Sequence, residues 1–339
     1  KTLSEVDRRE IHVHAWHWLV AHGSPERAAQ HALLAGFRSK ALELISASLN
    51  DEYDMGHHGK VIEWLARIPP PVVETNHRLR LVALWMHVLG HHFGDALQHA
   101  TALIDDPTAD GEVRGEALVA LAAAYAVVDR QDDVRHYVSM CETAPIGLRA
   151  RQALAVLKAD SAANAGETEL ARRLVAPMSG ERALPAVQIW RDYFTIWSYL
   201  WEGRPVLAEQ VGRLQHTRWE AEVGRRGLRA ATLGSLLAAA CWQQDFRSDA
   251  RALLADRLDV IEQASGYAGL IHAYLALARM AASESDEARA FACLEGLATI
   301  GECRGTVRLV VTSLSERVRL HAARQRPAQA AALLAELAA

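Results

Sequence analysis

The chain has 339 residues, of which 50% are hydrophobic and 23% are charged. Alanine and leucine are abundant and period-two alternation of Val, Ile and Thr is nearly absent, so the composition disfavours β folds and favours an all-α fold. The formal net charge of −4, with acidic and basic residues interspersed, gives no general reason to bind nucleic acid.

The sequence pattern of residues 1–75 predicts a helical segment, which we call the arm. Apolar residues at helical spacing indicate a first helix over residues 7–21, and the turn Gly23-Ser24-Pro25-Glu26 ends it and starts the second. Gly36 ends the second helix, and a third begins near Ser39.

Two runs in this part of the chain resemble a known family. The first extends from Arg8 to His31-Ala32-Leu33-Leu34-Ala35-Gly36, and the second is Gly59-Lys60-Val61-Ile62-Glu63-Trp64-Leu65-Ala66-Arg67-Ile68-Pro69. Both are similar to segments of the MalT-like regulators, which are large ATP-dependent bacterial transcription activators of the LuxR superfamily. In that family the segments follow an ATPase module and precede a tetratricopeptide-like superhelix. The resemblance implies an ATPase module before Lys1, a DNA-binding module after Ala339, and a sensing role for this chain.

After the link Pro69-Pro70-Pro71, residues 76–339 predict antiparallel helical hairpins stacked into a right-handed, tetratricopeptide-like superhelix. The organising copy is an apolar helix over 184–202, the turn Gly203-Arg204-Pro205, and a second helix from Ala208, whose small side chain lets the two helices approach closely. Similar anchors recur about every forty residues, at Ala96, Val134, Ala171, Ala250, Ala288 and Ala330. The predicted hairpins are 78–90 with 95–104, 116–128 with 133–142, 150–165 with 167–175, 184–202 with 208–214, 226–243 with 247–263, 267–282 with 286–299, and 306–323 with 328–337. Gly266 and Gly301 are expected to end helices between hairpins.

The helix over 184–202 carries an aromatic stripe. By resemblance to tetratricopeptide hairpins, these positions face the groove, and the same register in neighbouring hairpins adds polar and aromatic groups beside them. An aromatic platform flanked by polar groups suits an aromatic compound or a sugar. The alternative is that the stripe is hydrophobic core, because stripes at helical spacing usually are. The predicted ligand-binding residues are Trp190, Tyr193, Phe194, Trp197, Trp201, Asp160, Asn164, Thr232, Ser235, Trp242 and Tyr274.

Metal-binding and catalytic motifs are not recognisable in the sequence. His87 and His91 are spaced i,i+4, and His57-His58 forms another pair, but neither pair has a Cys or carboxylate at a recognised ligand spacing, so no metal site is predicted. The sequence contains no phosphate loop and no GxSxG elbow, so we predict no catalytic residue. No cofactor is expected in this chain, and the resemblance places ATP in the preceding module.

The sequence therefore predicts an inducer-sensing regulatory segment rather than an enzyme. Its partners would be a small-molecule inducer, the other domains of the same protein, and a regulatory protein or further copies, with no direct DNA binding. A protein-interaction scaffold whose groove holds a peptide or partner helix is the alternative. No uncharged apolar run is long enough to span a membrane and no signal peptide opens the chain, so a cytoplasmic location is expected. The scattered cysteines fit free thiols in a reducing compartment; they are Cys141, Cys241, Cys293 and Cys303.

Overall fold

The computed structural model describes residues 4–55, 57–178 and 183–338, and within these ranges it is all-α, as predicted. The helices are α1 (Glu5–Ala21), α2 (Pro25–Leu34), α3 (Arg38–Asp54), α4 (His58–Leu65), α5 (Pro70–Thr75), α6 (His77–Leu89), α7 (Phe93–Ile104), α8 (Gly111–Val127), α9 (Gln131–Cys141), α10 (Leu148–Asn164), α11 (Thr168–Val175), α12 (Pro185–Trp201), α13 (Pro205–Val223), α14 (Leu228–Gln243), α15 (Arg247–Leu254), α16 (Leu258–Ala264), α17 (Tyr267–Ser283), α18 (Glu287–Arg304), α19 (Val307–Ala323) and α20 (Pro327–Ala338). None of the described helices is both long enough and apolar enough to cross a membrane.

Ten helix ends in the described residues share one backbone construction, in which a residue with positive φ and the residue after it each donate an N–H to a carbonyl of the last helical turn. At the turn between α12 and α13 the Gly203 N–H donates to the Leu200 carbonyl at 3.1 Å, and the Arg204 N–H donates to the Tyr199 carbonyl at 2.8 Å. These two bonds satisfy carbonyls that a helix end otherwise leaves unpaired. The positive-φ residues of the ten ends are Gly23, Gly36, His91, Asp129, Gly166, Gly203, Asp245, Ser285, Gly305 and Gln325.

A small buried residue follows nine of these ten turns at a constant distance of five residues, counted over the described part of the chain. It is the fourth residue of the next helix, where it lies against the preceding one. This spacing confirms most of the predicted anchors and corrects one. Ala288 is exposed and Ala290 is fully buried, because Ser285 adopts the left-handed conformation and starts α18 at Glu287. The nine anchors are Ala28, Ala41, Ala96, Val134, Ala171, Ala208, Ala250, Ala290 and Ala330.

Two other local predictions are wrong. The helix expected over 247–263 is divided into α15 and α16, because Asp256 adopts a φ of 57° and the chain turns there. Gly301 lies buried inside α18 instead of ending a helix, and the terminator is Gly305 with a φ of 67°.

The helices pack in a regular order. Apart from α15 and α16, consecutive helices of the repeats contact one another. The first helices of consecutive hairpins also contact one another, from α6 through α8, α10, α12, α14 and α17 to α19. One large hydrophobic cluster extends from Leu49 to Leu157 and a second from Ala159 to Leu309. The first cluster includes Tyr53 and Val61 of the predicted arm together with residues of α6 to α10, so the core continues across the predicted boundary at residue 75. The right-handed superhelical path and the two-domain division remain predictions.

Candidate functional site

A group of polar side chains joins helices that are far apart in sequence. We call it the central polar cluster, and its members are Asp129, Gln131, Asp160, Asn164, Tyr267 and Arg308. The Tyr267 hydroxyl donates to Asp160 Oδ1 at 3.0 Å and accepts from Asn164 Nδ2 at 2.7 Å. Because α10 and α17 are about a hundred residues apart, these bonds hold two distant hairpins together.

Arg308 at the start of α19 completes the cluster. Its Nε donates to Asp129 Oδ2 at 2.7 Å, and its Nη1 donates to Asn164 Oδ1 at 2.6 Å. The guanidinium also lies 4.7 Å from the centre of the Tyr267 ring, a cation–π distance. Arg308 is 34% exposed while Asp129 is 12% exposed, so solvent reaches the cluster from the arginine side.

The carboxyl of Asp160 has an unusual proton affinity. Burial raises the pKa of Asp160 to about 6, and the hydrogen bonds from Gln131 and Tyr267, together with the positive charge of Arg308, oppose that rise only in part. Gln131 Nε2 donates to Asp160 Oδ2 at 3.2 Å. The cluster therefore contains a carboxyl group whose protonation changes near neutral pH.

The predicted aromatic stripe lies mostly inside the protein. Tyr193, Phe194 and Trp197 are buried in the second hydrophobic cluster, and Trp190 is half-buried against it. Trp201, the last residue of α12, is 62% exposed. The described structure thus gives three of the five rings a packing role, and the ligand-binding role assigned to them remains a prediction.

The stripe nevertheless meets the central polar cluster. The ring of Trp197 lies edge-on to the ring of Tyr267, with 6.3 Å between their centres, and it also contacts the ring of Tyr193 at 6.1 Å. Four of the predicted residues, Tyr193, Trp197, Asp160 and Asn164, are therefore brought together around Tyr267.

The remaining predicted residues lie elsewhere. Thr232 and Ser235 are buried residues of α14. The Ser235 hydroxyl donates to the Thr232 carbonyl at 2.7 Å, and the Ser265 hydroxyl donates to Thr232 Oγ1 at 3.3 Å. The Tyr274 hydroxyl donates to Glu262 Oε1 at 2.5 Å. Trp242 lines a shallow groove of about 700 Å³ with Arg279, Arg319 and Arg324.

Sequence reasoning missed Tyr267, Arg308 and Asp129. Tyr267 and Arg308 stand at or next to helix starts, and Asp129 at a turn, positions where a lone polar or aromatic residue is unremarkable. Their pairing over more than a hundred residues leaves no local pattern in the sequence.

A second group missed in the sequence ties the arm to the repeats. The Arg149 guanidinium of α10 donates to both carboxylate oxygens of Asp54, at 2.6 and 3.0 Å, and to Asn50 of α3 at 2.8 Å. The same guanidinium donates to Glu116 of α8 at 3.0 Å and lies 5.1 Å from the Tyr53 ring centre. Arg149 thereby connects three helices of the first hydrophobic cluster.

The side chains best suited to hold a metal lie at another place, the turn between α6 and α7. Ligand atoms of His87, His92 and Asp95 lie within 4.8 Å of one another there. The spacing of Asp95 from these histidines matches no standard metal-binding motif. The Asp95 carboxylate lies close to the two imidazoles because the turn folds α7 back along α6.

Comparison with known proteins gives one kind of relative. The chain is 25% identical to the serine/threonine-protein kinase PknK of Mycobacterium tuberculosis strain ATCC 25618 / H37Rv and, equally, to that of Mycobacterium bovis. The alignment of 330 residues covers 92% of this chain and 29% of each relative, so the chain spans less than a third of their length. No family description and no solved structure matches the chain.

Proposed function

We propose that this chain is the inducer-sensing segment of a larger bacterial signalling protein of the MalT-like kind. In this proposal an aromatic compound or a sugar binds the hairpin stack and controls ATP-dependent self-association and DNA binding by other modules. In this proposal the protein acts in the cytoplasm. The chain itself is proposed to carry no enzyme activity.

The observation that carries the proposal is the central polar cluster beside the aromatic core. Its bonds hold α10 against α17 and α19, so a ligand that competes for them would change how distant hairpins sit against one another. A ligand shifts such an equilibrium only by binding one arrangement better than the other. Tyr267, Asn164 and Arg308 supply the polar groups that a sugar hydroxyl or a carboxylate would bind.

The comparison with PknK supports a segment of a larger protein. The alignment covers nearly all of this chain but under a third of the kinase. This sequence contains no GxGxxG loop, no HRD and no DFG, which are the motifs of kinase catalysis. We therefore propose that this chain has a regulatory role and not a catalytic one.

The test is a ligand screen on the purified chain. We expect an aromatic acid or a sugar to raise the melting temperature and to change tryptophan fluorescence, because it binds the folded state next to Trp197. Tyr267→Phe should weaken that response at least tenfold, since it removes a hydroxyl with two hydrogen bonds. Tyr137→Phe is the matched control, because the ring contacts described for Tyr137 are with Tyr125 and His136, which are not members of the cluster. A full response in Tyr267→Phe would contradict the site.

A protein-interaction scaffold is the second candidate. It is favoured by large apolar side chains that stand exposed on α1 and α2, where Trp18 is 59% exposed and Leu34 is 65% exposed. The test is a pull-down with the neighbouring modules of the full-length protein, compared between the wild type and Trp18→Ala. Binding by the wild type that is lost in Trp18→Ala would support the scaffold function over inducer sensing.

A further inference from the structure

The turn between α6 and α7 gathers imidazole and carboxylate groups. His87 lies in the last turn of α6, His92 caps the start of α7, and Asp95 is in the first turn of α7. His99 follows one helical turn after Asp95. The four side chains come from both arms of one hairpin, so the packing of α6 on α7 fixes their relative positions.

Distances within the group suit a small cation. His87 Nδ1 lies 3.7 Å from Asp95 Oδ2, and the ligand atoms of His87, His92 and Asp95 are all within 4.8 Å of one another. A tetrahedral zinc ion with bonds of about 2.1 Å needs its ligands about 3.4 Å apart. The distance from His87 to Asp95 is already close to that value, and His92 and Asp95 are exposed side chains.

These groups are also short of protein partners. In the described part of the chain no hydrogen bond reaches the His92 ring, and Asp95 is paired with His87 alone. The His99 ring stacks on His87 with 5.2 Å between centres, and its buried Nδ1 has no hydrogen-bond partner. The buried ring nitrogen of His99, next to the His87 imidazole, is thus a further polar group of this turn that has no protein partner among the described residues.

The surrounding charges do not exclude a cation. Arg80 lies near His99, while Asp95 and Glu74 face the same histidine and offset that positive charge. On the other side of the turn Arg304 faces His91, which is not one of the ligands.

We propose that His87, His92 and Asp95 bind a zinc ion. Two imidazoles and one carboxylate are a ligand set that zinc accepts, and hard cations such as magnesium prefer oxygen ligands alone. Water takes the fourth position. The ion would join the end of α6 to the start of α7 and stabilise the first hairpin of the repeats, independently of inducer binding.

The test uses the whole chain without a histidine tag, after treatment with EDTA. Titration calorimetry with zinc chloride should give one site per chain, and zinc should raise the melting temperature while magnesium does not. His92→Ala and Asp95→Ala should each weaken zinc binding at least tenfold. His136→Ala is the matched control, an exposed helical histidine that should bind zinc as the wild type does.

Two results would overturn the proposal. One is a wild-type chain that neither binds zinc nor gains stability at tenfold excess of the metal. The other is binding that survives in His92→Ala and Asp95→Ala but is lost in His12→Ala, which would place the metal at the pair His12 and His31, whose Nδ1 atoms lie 2.9 Å apart. Circular dichroism melts without metal show whether each variant folds.

Discussion

Single buried charges in this protein are held by several partners at once. The Asp192 carboxylate is 2% exposed and accepts hydrogen bonds from Arg191, Arg218 and the Trp219 ring N–H. Trp219 is fully buried, with the guanidiniums of Arg218 and Arg229 lying 4.7 and 4.8 Å from its ring centre. A buried charge with this many partners is stable, whereas removal of one partner leaves the rest uncompensated.

Asp160 provides a prediction at the same scale. Because its folded pKa of about 6 lies above the usual 3.8, the folded state holds this proton more tightly than the unfolded chain does. The resulting stabilisation is fully present below about pH 4 and is lost as the pH rises through about 6. Asp160→Asn removes this loss, so relative to the wild type it should gain about 2 kcal/mol of stability between pH 4 and pH 7.5.

Urea unfolding at the two pH values measures this gain. Asp51→Asn, which makes the same change at an exposed carboxyl of α3, is the matched control against which the Asp160→Asn offset is compared at both pH values. An Asp160→Asn offset that is independent of pH would show that the carboxyl titrates normally.

Among the helical elements, the recurring C-cap decides where each hairpin turns. Glycine occupies the positive-φ position in five of these ten C-caps of the described residues, and His, Asp, Ser and Gln occupy it in the others. A side chain in the left-handed conformation costs about 1–2 kcal/mol, a penalty that glycine avoids.

Ser285→Gly should therefore relieve this cost in the folded state. The greater conformational freedom of glycine in the unfolded chain offsets part of the gain, so we expect a net increase of about 0.5–1 kcal/mol in the free energy of unfolding. The reciprocal change, Gly203→Ala, should destabilise it by about 1 kcal/mol or more. An added Cβ at Gly203 meets no atom within 4 Å, so this loss comes from the backbone conformation and not from a clash. Urea melts of the two variants should shift in opposite directions, and a shift of both in one direction would refute the argument.

These turns also show how far the sequence could predict the fold. The hairpins around Gly203 and Gly36 were predictable, because glycine marks the left-handed residue. The turn between 282 and 286 was also predicted, but serine does not mark a left-handed residue, so the anchor was placed at Ala288 instead of Ala290. The break at Asp256 was not predicted, because aspartate occurs throughout helices and loops. The aromatic stripe was located correctly on one helix, but its burial depends on neighbouring hairpins that no local pattern encodes.

At the scale of the whole molecule, contacts across the stack supplement contacts along it. Arg229 of α14 donates to the Met55 carbonyl at 2.9 Å, and Arg149 of α10 binds Asp54 and Asn50 of α3. The predicted arm is therefore fastened to helices well beyond its neighbours in sequence.

Arg149→Met should remove the hydrogen bonds that join the arm helix α3 to α10 and α8. Asp54 and Glu116 would lose their guanidinium partner in a site where the arginine is only 15% exposed, and we expect a loss of about 3 kcal/mol in the free energy of unfolding. Arg151→Met is the control, since Arg151 is exposed and, among the described residues, its guanidinium hydrogen-bonds only the Ile146 carbonyl. It should change stability by less than about 0.5 kcal/mol. Chemical denaturation measures both, and equal values for the two variants would mean that the arm is not held by Arg149.

The nine hairpin turns, each followed by its small anchor, have a kinetic consequence. A turn and its anchor are five residues apart, so each hairpin closes a very short loop and has low contact order. By contrast, Arg149 to Asp54 closes a loop of 95 residues and Arg308 to Asp129 one of 179. We therefore expect the hairpins to form early, at any point along the chain. The long-range hydrogen bonds should form late, after stacking of the hairpins has already reduced the conformational entropy of the long segments between their partners. In refolding followed by hydrogen exchange, the backbone amides within the hairpins should then become protected first. The hydrogen bonds of the Tyr267 hydroxyl and the Arg308 guanidinium should form after that.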